Sequence, residues 1–137
     1  MLLSDVMDQL GTALETIDGL RVFPYTADRV TPPAAVVQWP SVIDYSATMR
    51  RGMDRMTFPV MVVVGRADAR ATRDSLAAYL DGSGASSVVA ALESGTYTAC
   101  DAVKVAGVPK GVEAVSIAGI DYLAAEFVVE ITGQGGA

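Results

Sequence analysis

Histidine is missing from this 137-residue chain. Its absence removes the commonest general base, the usual nucleophile triads and most zinc sites in one step. Cysteine occurs once, at Cys100. No intramolecular disulfide can form, and a lone thiol without a histidine reads as a small buried apolar residue rather than a nucleophile. The longest apolar run, Phe58 to Val64, is far short of the ~20 residues that a spanning helix needs. Asp5 and Asp8 stand where a signal peptide would carry bases. These features predict a soluble product of the cytosol. Basic residues are also scarce, 10 against 16 acidic ones, for a net charge of −6. Such a surface repels nucleic-acid phosphates, so tight binding to duplex DNA is not expected.

Apolar residues make up 51% of the chain, enough for one compact domain without metal or disulfide staples. We assign that domain to residues 1–132 and read 133–137, which close the chain as GQGGA, as a flexible tail. The stretch TFPVMVVVGRADARATRDSLAAYLDG from Thr57 to Gly82 holds the strongest strand and the clearest helix. Phe58, Val60, Val62 and Val64 alternate with Pro59, Met61 and Val63, all apolar, which predicts an inner strand covered on both faces. Pro59 cannot donate to a ladder, so the strand should be unpaired on one side there, at an edge or a bulge. A turn at Gly65, an N-cap at Asp68, a helical face of Leu76, Tyr79 and Leu80, and a left-handed stop at Gly82 complete the unit.

Leu3, Val6, Met7, Leu10, Leu14 and Ile17 recur at helical spacing, with Ser4 as the expected N-cap and Gly11 as either a weak spot or a point of close approach. Strands follow at Leu20 to Tyr25 and Ala34 to Trp39, separated by a proline-bearing loop. From Val42 to Val64 alternation predicts a long hairpin through Ile43, Tyr45, Ala47 and Met49, bent at Arg50-Arg51-Gly52-Met53-Asp54 and returning from Arg55. After the central helix, Ser86 or Ser87 can cap a short helix ending near Leu92. Strands are predicted at Ala99 to Val108, at Val112 to Ile117 and, after a turn at Ala118-Gly119, through Ile131. The order α-β-β-β-β-α-α-β-β-β implies an α+β domain: a mostly antiparallel sheet with a long hairpin and helices packed on one face.

Two glycine segments bear on phosphate binding. Gly82-Ser83-Gly84 follows a helix where a dinucleotide loop requires a strand, and Gly65-Arg66-Ala67-Asp68 lacks the Gly-Lys-Ser/Thr ending of a Walker loop. Asp44, Asp54 and Asp101 read as solvated surface carboxylates, and no pair sits at a spacing that suggests convergent acid and base groups. Neither catalytic nor metal-binding residues are assigned. Charge is unevenly placed: residues 1–20 carry four acids and no base, 21–81 eight arginines against six aspartates, and 82–137 two lysines against six acids. Blocks of opposite sign can pair between neighbouring subunits. At the hairpin bend, Arg50, Arg51, Met53 and Arg55 put three arginines around a methionine, more than a turn requires. That combination predicts contact with another protein.

Over most of its length the chain resembles the tail terminator proteins of long-tailed, siphovirus-type bacteriophages. The likeness lies in the leading helix with Asp18-Gly19-Leu20, in the block from Phe58 to Ser94, and in the ending Gly119-Ile120-Asp121-Tyr122-Leu123-Ala124-Ala125-Glu126-Phe127-Val128-Val129-Glu130. The resemblance implies a structural virion protein with no cofactor and no enzymatic activity. It implies a hexameric ring on the head-proximal end of the tail tube that stops tube polymerisation and joins the head-tail connector. Partners would be further copies of the chain, the major tail tube protein and a neck protein, with DNA passing through the lumen unheld and no membrane involved. A head-closure or tail-completion protein of the neck, or a small-molecule-binding α+β domain, shares this composition.

Overall fold

The computed structural model describes residues 2–24, 32–45, 53–117 and 119–134. Its elements follow the order α1 (Leu3–Leu14), β1 (Arg21–Phe23), β2 (Ala34–Val37), β3 (Val42–Asp44), β4 (Met53–Arg66), α2 (Arg70–Leu80), α3 (Val88–Ser94), β5 (Ala102–Gly107), β6 (Val112–Ile117) and β7 (Ile120–Gln134). The architecture is α+β, with one mixed sheet of seven strands. β1 lies parallel to β2, and the other pairings are antiparallel.

β4 and β7 are the spine, paired from Met53↔Gln134 to Arg66↔Tyr122. Each is flanked on its outer edge by two short strands set end to end. β4 carries β3 against Arg55 to Thr57 and β2 against Val60 to Val63. β7 carries β6 against Ile120 to Ala125 and β5 against Val128 to Thr132. Pro59 falls at the junction of β2 and β3. Its carbonyl accepts the Gln38 N–H at 3.1 Å, and an N–H at this residue would point to the same side, into the gap between the two short strands. Proline is therefore tolerated inside an interior strand.

The core forms where Phe58, Val60 and Val62 of β4 and Val129, Phe127 and Ala125 of β7 face each other in register and meet Leu10 and Leu14 of α1, Leu76 and Tyr79 of α2, and Val88 and Leu92 of α3. Phe58, Phe127, Leu10 and Leu92 have no exposed surface; truncating either phenylalanine to alanine costs about 3–5 kcal/mol. All three helices share this face. Cover on both faces of β4, which its unbroken apolar run predicted, is found in part: on the side away from the helices Val63 is 4% exposed and its register partners Ala34 and Ala124 have no exposed surface. Each helix carries a single apolar stripe, spent on the same side, and Pro59, Met61 and Val128 on the other side are half-buried.

Several local expectations change. Leu2, not Ser4, is the N-cap of α1, and Ser4 lies within the first turn, because the apolar Leu3 is itself drawn into the helix. Gly11 is a point of close approach: a Cβ there would stand 2.9 Å from Pro24 Cβ. At the end of β4 an extra residue between Val63 and Gly65 shifts the register, and the chain stays in the sheet through Arg66. The start of α2 moves to Arg70, with Ala69 as N-cap and no side-chain cap, so Asp68 is too early to serve. Gly82 is not the left-handed stop. α2 leaves through an extended Asp81 (φ −62°, ψ 144°), and the positive φ falls at Gly84. Ser87 does cap α3, accepting the Ala90 N–H at 3.1 Å. Finally, β7 extends through Gly133 and Gln134, into the expected tail.

Candidate functional site

The end of the sheet where β4 begins carries the unusual chemistry. Two hydrogen bonds pin the chain between β2 and β3: Gln38 N–H to the Pro59 carbonyl at 3.1 Å and Ser41 N–H to the Thr57 carbonyl at 2.8 Å. Trp39 and Pro40 bulge outward between these anchors, leaving Trp39 64% exposed. Val42, 54% exposed on one face of β3, and Ile43, 38% exposed on the other, widen the exposed apolar edge, with Tyr45 at 52% just beyond the strand. Large apolar side chains exposed along one edge of a sheet mark an interaction surface more than a solvated one. The alternation that predicted the strands says nothing of this exposure. Four large apolar residues within seven positions, Trp39, Val42, Ile43 and Tyr45, interrupted by Pro40, were the available signal.

The predicted tip residues divide. Arg50 and Arg51, with Ala47, Met49 and Gly52 of the expected hairpin, lie outside the described residues. Met53 belongs to β4, opposite Gln134, and not to a bend. Arg55 is exposed in β4, in register between Asp44 of β3 and Thr132 of β7.

Asp54 corrects the expectation of a solvated carboxylate. β4 already includes it, and its place in the alternation puts it on the helix-bearing face with Met56 and Phe58. It is 5% exposed, and its Oδ1 is buried without a hydrogen-bond partner among the described residues. Burying an unsatisfied polar oxygen costs roughly 1–3 kcal/mol. Asp44 is half-buried and Asp101 exposed.

Cys100 is 8% exposed within the core. Burial, and then the neighbouring Asp101 carboxylate, push its thiol up from 9.0, which keeps it in the unreactive protonated form. Both glycine segments serve local structure. The Asp81 carboxylate accepts the Ser83 N–H at 3.2 Å, and the Ser87 hydroxyl donates to the Asp81 carbonyl. Near Gly65, Ala67 N–H reaches the Asp121 carbonyl at 2.9 Å, and Arg66 lies 3.6 Å from Asp68 with both side chains exposed.

A depression of about 280 Å³ beside that pair is lined by Arg66, Asp68 and Asp121. A second, of about 320 Å³, is apolar and lies between the end of β5 and Val128 of β7. Among the described residues no group of three or more Cys, Asp or Glu could hold a metal ion. No helix among them is long and apolar enough to cross a membrane. No protein-family model matches the chain, and no curated protein matches it.

Proposed function

We propose that the chain is a ring-forming tail terminator of a long-tailed bacteriophage, which caps the tail tube, ends its polymerisation and joins it to the head connector. The observation that carries this reading is the one-sided packing of the sheet. Three helices cover one face, while on the other Pro59, Met61 and Val128 stay half-buried and the Trp39–Tyr45 edge presents apolar side chains to solvent. A domain built this way is suited to burying its remaining apolar surface against other subunits. The sequence resemblance, the absence of histidine and the opposed charge blocks support the same reading.

In this reading the protein is not an enzyme and takes no cofactor. It resides at the head-proximal end of the virion tail and in the host cytoplasm during assembly. Its partners are other copies of itself in a hexamer, the major tail tube protein and a neck protein, with Arg50, Arg51, Met53 and Arg55 among the contacting residues. Electron microscopy of tubes assembled with and without the chain tests the proposal. Tubes should be over-long without it and of defined length, ringed at one end, with it. A head-closure or tail-completion protein would leave tube length unchanged while affecting attachment to heads.

A further inference from the structure

The Trp39 patch and the apolar depression beside Val128 lie on opposite edges of one sheet. β2 and β3 flank β4, whereas β5 and β6 flank β7. We infer that they are the two halves of one head-to-tail contact, in which Trp39 of one copy enters the depression of the next; the inference rests on the ring reading above. A contact between different surfaces of identical chains propagates, and it closes into a ring when the rotation per copy divides a full turn.

Size and chemistry match. The depression, about 320 Å³ and lined by Ala106, Gly107, Val108, Pro109 and Val128, has no charged side chain in its wall. It stands at the small end of the range for ligand pockets, and it lacks the convergent polar groups such pockets use for orientation. A single large aromatic side chain suits it better. The register shift between Val105 and Gly107 ends regular pairing there and opens the concavity.

The rims are complementary in charge. Asp44 and Arg55 flank the patch, in register with each other. Lys110 and Glu126 flank the depression, 4.0 Å apart. Each rim offers one charge of each sign, so a crosswise pairing of Asp44 with Lys110 and Arg55 with Glu126 surrounds an apolar centre with a polar border, the usual anatomy of an interface. The exposed apolar area of Trp39 and Val42 is on the order of a few hundred Å². That is a substantial part of the ~800 Å² each partner gives to a standard interface.

Extending the sheet from copy to copy is disfavoured at this edge. The outward N–H of Val105 in β5 is already taken by the Glu93 carboxylate at 3.0 Å, so the edge is blunted and side chains must make the contact.

Complementation of two crippled chains tests the inference, read by sedimentation velocity across concentration, with and without tail tubes. Trp39→Ala removes the knob, and Ala106→Glu places a carboxylate in the depression; both positions are exposed, and thermal melting checks that each variant folds. Each variant alone should stay monomeric, self-association falling at least ~30-fold as for a central aromatic anchor. Their equimolar mixture should form a heterodimer that grows no further, because one intact knob meets one intact depression. Normal assembly of either variant, or a mixture that stays monomeric while the wild type assembles, overturns this contact and leaves the ring proposal standing. A wild-type chain that is monomeric throughout, tubes included, overturns both.

Discussion

Asp54 and Tyr97 show how single residues set the stability of this fold. The Oδ1 of Asp54, without a partner among the described residues, is a cost that the fold carries. Asp54→Val keeps a strand-compatible, similarly sized side chain at the head of β4, and removing the unsatisfied group should raise stability by about 1–2 kcal/mol. Urea unfolding with an unchanged m-value is the check. A drop in stability would show that the carboxylate is used within the fold. Tyr97 follows α3, and its hydroxyl donates to the Leu92 carbonyl. Burial, and secondarily Cys100, push its pKa from 10.0 up to about 12. A raised folded-state value means that the unfolded chain ionises first. The associated stability is complete below pH 10 and is lost as the pH climbs toward 12. Burial raises Tyr79 and Cys100 too, so the losses run in the same direction. Tyr97→Phe should cost about 1 kcal/mol at neutral pH and should make the alkaline decline in melting temperature shallower.

At the scale of elements, much of the chain was legible. All ten elements lie in the order read from hydrophobic period and turn residues, and β6 has the bounds assigned to it. Ser87 illustrates why: a cap needs only its own hydroxyl and an N–H three residues on. Ser87→Ala should destabilise by about 0.5–2 kcal/mol, measurable as a lower melting temperature. The failures depended on distant partners. Asp68 missed its helix because a bulge formed against β7 kept the strand going. Asp54 was assigned to a bend because nothing local reveals that Gly133 stands opposite it. Periodicity missed the exposed edge at Trp39 for the same reason, since it cannot say which apolar face goes uncovered. The arginine pair expected at the hairpin tip gives a separate prediction. Arg50→Glu with Arg51→Glu should shift stability by less than about 0.5 kcal/mol yet abolish ring closure or tube capping. Melting curves and micrographs of tail length report the two effects independently.

For the whole molecule, a net charge of −6 sets the relation to DNA. In the ring proposed above, a lumen lined mainly by carboxylates would let a polyanion slide, whereas clustered lysines and arginines would hold it through counterion release. Fluorescence anisotropy with labelled duplex at low salt should show no submicromolar binding, and such affinity would contradict a passive channel. The spine of the sheet bears on how the molecule comes into being. β4 and β7 make its longest ladder, yet two helices and two strands intervene between them in the chain. Local pieces such as α2 and α3 can form early, but the ladder that organises the core closes only across a large loop, which places folding among the slower, non-local topologies. Until β7 is available, β4 keeps one long hydrogen-bonding edge open and its core face unsupported, the condition in which strands pair with the wrong chain. A polypeptide stopped before Ile120 should therefore be trapped by self-association and not yield a smaller version of the same fold.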